Sequence, residues 1–144
     1  MLIKPLTCAA ILAAASTPAL ASGPTPTDVA AFSAALAGMP SLDEMNRGQG
    51  NGDLRGFTTA MRRVVDVATA VAERDYPQLG AGWIACQSHM MTRDGGLTYQ
   101  FEPSYKTTCT QISNRLVPIV QSDFDALSRA KEAADRAAIG RALR

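Results

Sequence analysis

Histidine is almost missing from this chain: His89 is the only one among 144 residues. That scarcity removes most metal centres and most nucleophile–base pairs, because both draw on imidazole. No serine sits in a Gly-x-Ser-x-Gly elbow, and no Cys-x-x-Cys-His run offers a haem attachment site. Charge of one sign is also without excess, with 14 Lys and Arg against 13 Asp and Glu. A balanced chain lacks the basic surface that nucleic acid requires. No stretch approaches the roughly 20 apolar residues that span a bilayer as a helix. The glycine-rich run Gly48-Gln49-Gly50-Asn51-Gly52 lacks the lysine of a phosphate-binding loop and reads as a flexible connection. These absences predict no cofactor, no nucleic acid and no membrane insertion of the mature chain.

What is present begins with a processing signal. Lys4 supplies a short positive start, and an apolar segment runs from Leu6 to Ala15. Ser16-Thr17-Pro18 breaks it, and Ala19-Leu20-Ala21 places small residues at −3 and −1 of a cleavage site before Ser22. The pattern predicts a secretory signal peptide, residues 1–21, that is removed to leave one helical domain, residues 22–144. Loss of Lys4 brings the side-chain charges of that domain to balance. The expected location is periplasmic or secreted.

Compartment decides how the cysteines read. Cys8 leaves with the leader, whereas Cys86 and Cys109 remain. Two cysteines in an oxidising compartment predict a disulfide, contributing roughly 3 to 4 kcal/mol through the entropy of the closed loop.

The rest of the chain is punctuated for helices. Thr25-Pro26-Thr27-Asp28 reads as a helix start, with Val29, Phe32, Leu36 and Met39 at helical spacing. Ser41 to Glu44 is a second capping box, followed by an expected mobile loop over residues 47–53. Phe57, Met61, Val64, Val65, Ala68, Val71 and Ala72 predict a long amphipathic helix that ends by Tyr76-Pro77. A short helix is expected from Trp83 through Met91, then a turn at Asp94-Gly95-Gly96. Residues 97–101 alternate as one strand does but lack an obvious partner, so an extended loop is expected. Pro103 suits the start of a further helix carrying Tyr105, Cys109, Ile112, Leu116, Ile119 and Val120, which Pro118 should kink or split. A last helix, about Ser122 to Leu143, presents Phe124, Leu127, Ala130, Ala134 and Ala137 for close packing. The expected fold is all-α: a small array or bundle of four to five helices, stapled by Cys86–Cys109, with at most a minor extended segment near 97–101.

Candidate chemistry is thin. His89, Met90 and Met91 offer an imidazole and two thioethers, an alternative reading as a periplasmic copper site. Against it, Met90 fits the core stripe and Cys86 belongs to the disulfide. Glu102 is the one acid among aromatics, but no second carboxylate can be assigned to work with it, and capping the next helix is its simpler role. The segment 94–105 is irregular and carries Tyr99, Phe101 and Tyr105. Aromatics on a stapled loop suit a protein-binding surface, so Tyr99, Phe101, Glu102 and Tyr105 are the candidate contacts. Of these, Phe101 is expected to fold onto the core and Tyr99 to face a partner. The resulting expectation is an exported, soluble, non-enzymatic protein that binds another protein as an inhibitor, immunity protein or adaptor.

Overall fold

A computed structural model describes residues 22–47, 51–93 and 98–144. The elements in chain order are α1 (Pro26–Ala37), α2 (Leu42–Arg47), α3 (Asn51–Asp75), α4 (Pro77–Gln87), β1 (Met90–Arg93), β2 (Thr98–Phe101) and α5 (Lys106–Ala142). The architecture is all-α with one two-stranded antiparallel sheet. No helix among the described residues is long and apolar enough to cross a membrane.

Local chemistry sets the first two helix starts. At α1 the Thr25 amide donates to Asp28 Oδ2 at 2.7 Å, while the Asp28 amide donates to Thr25 Oγ1 at 3.3 Å. Two otherwise orphaned N–H groups are thereby satisfied, and Pro26 in the first turn has none to lose. Ser41 and Glu44 repeat the exchange at α2, at 2.7 and 3.2 Å.

The core forms where α1, α3 and α5 meet. Phe32, Val64, Ala68, Val71 and Leu127 are its buried residues, and Phe124 meets Phe32 edge to face at 5.3 Å. Full burial of each large side chain stabilises the fold by about 1.5–3 kcal/mol. Two members of the expected α3 stripe lie elsewhere: Met61 and Val65 are more than one-third exposed, and Ala60 is buried instead. Adjacent residues on a helix point about 100° apart, and Val65 falls at the edge of the face that buries Val64.

Pro77 both ends α3 and opens α4, where it occupies the first turn. The short helix therefore spans residues 77–87, earlier than expected, and includes Gly80 and Gly82. These glycines serve close packing rather than interruption. A Cβ on Gly80 would stand 2.9 Å from the Glu73 Cα, so α4 and α3 touch backbone to side chain there. Cys86 of α4 is bonded to Cys109 of α5, with Cα atoms 5.6 Å apart.

Three further expectations are corrected. Residues 98–101 do have a strand partner: Met90 pairs with Phe101, Met91 with Gln100, Thr92 with Tyr99 and Arg93 with Thr98. The partner was hidden because Met90 and Met91 continue the apolar spacing of α4. The proposed turn at Asp94-Gly95-Gly96 lies outside the described residues, whereas residues 51–53 of the expected loop belong to α3. Finally, α5 starts at Lys106 rather than Pro103 and runs unbroken through Pro118 for 37 residues. Pro118 is exposed, so the Asn114 carbonyl that it leaves without a helical donor faces solvent.

That single helix outruns its neighbours. Beyond Leu127 it buries no residue, and the alanine face of Ala134 and Ala137 stands in solvent rather than in a helix contact. The arm is held by its own ion pairs, Lys131 with Asp135 and Glu132 with Arg136.

The α3–α4 crossing yields a prediction. Gly80→Ala should destabilise the fold by about 1–3 kcal/mol, as overpacking against backbone does. Gly82→Ala should be near neutral, since its Cβ would meet only the flexible end of Ile112, at 3.1 Å. Urea unfolding midpoints of the two variants check the contrast.

Candidate functional site

The apolar residues that α3 does not bury line an open groove. Met61, Val65 and Thr69 form one wall, Leu116, Val117, Val120 and Phe124 of α5 the other, and Trp83 of α4 closes one side, around about 420 Å³. Only Thr69, Ser113 and Gln121 bring side-chain polar groups, apart from the indole N–H of Trp83. The groove exists because α4 is short. Its 11 residues cover only part of the seam between α3 and α5, whose ridges continue past it. Val117 shows the consequence: it is 60% exposed beside a buried Leu116.

The hairpin formed by β1 and β2 is fastened next to this groove. Phe101 meets Trp83 edge to face at 6.3 Å, so the indole is shared between groove and hairpin. Tyr99 lies on the same strand face as Phe101, two residues away. Its ring is half exposed, and its hydroxyl accepts a 2.7 Å hydrogen bond from Arg62 Nη2 of α3. The Arg62 guanidinium also sits 5.8 Å from the Tyr99 ring centroid.

A separate polar cluster joins the hairpin to the start of α5. His89 stacks on Tyr105 with ring centroids 3.6 Å apart and planes 15° from parallel. His89 Nδ1 lies 3.3 Å from Glu102 Oε2, and the Glu102 amide donates to the His89 carbonyl at 2.9 Å. Glu102 thus pairs with His89 instead of capping α5, whose N-cap residue is Tyr105. One imidazole beside one carboxylate can exchange a proton. Neither is buried, and the pair lies apart from the groove residues.

The expected contact residues therefore divide. Phe101 turns inward onto Trp83, as expected, while Tyr99 and Tyr105 stay exposed at different ends of the segment. The helix expected to carry His89, Met90 and Met91 ends before them, because α4 stops at Gln87. Met90 and Met91 are successive strand residues and point to opposite sheet faces, with Met91 exposed. The groove residues Met61, Val65, Trp83 and Val117 were not identified as a site. For Met61 and Val65 the signal was an apolar stripe on α3 wider than one helix face needs.

Comparison with known proteins adds no assignment. No protein-family model matches the chain, and neither a curated protein nor a solved structure does. Functional inference rests on the geometry above.

The Trp83–Phe101 contact gives a direct check on the hairpin's seating. Phe101→Ala should cost about 1–3 kcal/mol of stability and shift Trp83 emission to the red as water reaches the indole. Trp83 is the only tryptophan, so the emission comes from this one indole.

Proposed function

We propose that this chain is an exported, non-enzymatic protein, with residues 1–21 removed as a leader, that holds a protein partner in the manner of an inhibitor, immunity protein or adaptor. The observation that carries the reading is the gathering of exposed apolar side chains around one groove. Met61, Val65 and Val117 are each more than one-third exposed there, with Trp83 between them and the hairpin. Desolvating such residues under a partner's apolar side chain is how a compact contact gains affinity. Two packed helices with an open seam between them suit an amphipathic helix or a single large anchor side chain.

The hairpin extends the same surface. Tyr99 offers a ring and a hydroxyl held in place by Arg62, so little side-chain freedom is lost on contact. Export is supported by the leader pattern and by the Cys86–Cys109 bond, which suits an oxidising compartment. A periplasmic or secreted location follows from that reading.

Photocrosslinking tests the surface. A photoreactive residue is placed at Val117 in the groove, at Thr92 opposite Tyr99, or at Asp135 on the exposed arm of α5, and the protein is illuminated in cells that export it. Val117 and Thr92 should give the same protein adduct at tenfold or greater yield than Asp135. Val65→Asp should cut that yield about tenfold or more, the effect of losing roughly 1.4 kcal/mol of binding. Equal labelling at all three positions would remove the groove as the contact surface.

A further inference from the structure

The start of the described chain is anchored on a set of carboxylates contributed by different helices. Asp75, at the end of α3, has a side chain only 5% exposed. Its Oδ1 accepts from Ser22 Oγ at 3.0 Å, and its Oδ2 accepts from the Gly23 amide at 2.9 Å. Arg74 reaches across the same place, donating to the Gly23 carbonyl at 2.8 Å and to Asp28 of α1 at 2.9 Å. Asp123 of α5 lies within electrostatic reach of Asp75, Arg74 and Asp28. Its Oδ2 is buried and has no hydrogen-bond partner among the described residues.

Charge here does not balance. Asp28, Asp75 and Asp123 stand against the single guanidinium of Arg74, which is engaged mainly by Asp28 and the Gly23 carbonyl. Burial raises the Asp123 pKa, and the negative charges of Asp75 and Asp28 push it further up, with Arg74 opposing. Burial pushes Asp75 up too, but the Gly23 amide, the Ser22 hydroxyl and Arg74 together hold it below the ordinary aspartate value. Such a site lacks a cation with several N–H donors.

Ser22 is the residue on which the expected cleavage acts. Within a longer chain its nitrogen is a neutral amide with one hydrogen. Hydrolysis of the Ala21–Ser22 bond by a leader peptidase adds one water, leaving a carboxylate on Ala21 and an ammonium on Ser22. That nitrogen and the Ser22 Oγ are carried by adjacent carbons, and the Oγ already rests on Asp75. The new positive charge therefore arises one bond from a side chain that is already bound to Asp75, with the Gly23 amide bound beside it.

We propose that Asp75 and Asp123 form a receptor for the α-ammonium group of Ser22, so that removal of the leader completes the junction of α1, α3 and α5. The proposal rests on the export reading for the cleavage but not on the partner or the groove. Among the described residues, the charged groups that interact at this junction are Asp28 of α1, Arg74 and Asp75 of α3, and Asp123 of α5. An α-amino group in this contact has its pKa raised. Its stabilisation is fully present below the ordinary value of about 8 and is lost as pH rises through the higher folded-state value.

The test uses the full chain, exported with its own leader and purified from the export compartment. N-terminal sequencing should find Ser22 first. Trace acetylation with acetic anhydride across pH, read on the N-terminal peptide by mass spectrometry, should show the amine titrating about 1 to 3 pH units above the ordinary α-amino value. Asp123→Asn and Asp75→Asn, each checked for helicity, should bring it back toward that value, while Lys106 and Lys131 serve as unmoved references. A first residue other than Ser22 overturns both the cleavage reading and the receptor. Ser22 first with an ordinary amine overturns the receptor alone, as does a raised value that neither substitution lowers.

Discussion

A covalent tie between two helix ends governs what lies between them. Cys86 closes the last turn of α4 and Cys109 the first turn of α5, with a sequence separation of 23. Everything between must leave and return within the 5.6 Å that separates their Cα atoms. A loop of that size contributes about 3 kcal/mol in the chain-entropy account. The sheet in this interval has only two strands, and an isolated two-stranded hairpin is marginal in water. Its order comes from the clamp, from Phe101 on Trp83, and from the His89–Tyr105 stack at the clamp's edge.

From that clamp the exposed surface follows. α4 is held against α5 at one end and against Glu73 of α3 through Gly80 at the other, so it covers a fixed, short part of the α3–α5 seam. What it leaves uncovered is the groove of Met61, Val65 and Val117. The hairpin extends the groove's rim because Trp83 touches both. Opposite α4, α1 fills the other side of the seam with Phe32 and is itself tied to α3 through Asp28 and Arg74. One side of the three-helix core is closed by a full helix and the other only in part. The open part is where a partner fits the proposed function.

The legible parts of the sequence were those decided locally. Thr25 with Asp28 and Ser41 with Glu44 form reciprocal hydrogen bonds within one helical turn, so spacing alone identified them. The disulfide was legible because the expected loss of the leader leaves two cysteines, Cys86 and Cys109. Features decided by tertiary contact were not. The partner strand Met90–Arg93 continues the spacing of α4 and shows itself only by pairing with Thr98–Phe101. Gly80 reads as a breaker until α3 is laid beside it. Pro118 breaks a helix when its freed carbonyl is buried, and here that carbonyl faces water. Of the candidate contacts, Phe101 lies against Trp83 and Tyr99 is half exposed, whereas the groove required knowing how short α4 is.

Hydrogen exchange with and without the disulfide tests the clamp most directly. Amide exchange is followed by mass spectrometry on the oxidised protein and on the same protein reduced and alkylated under native conditions. Opening Cys86–Cys109 should strip protection from β1 and β2 and the end of α4, by about 100-fold for a loss near 3 kcal/mol. Val64, Ala68 and Val71 in the α3 core should retain theirs. Hairpin amides equally protected in both forms would contradict the account, because the hairpin would then stand without the bond that is argued to hold it.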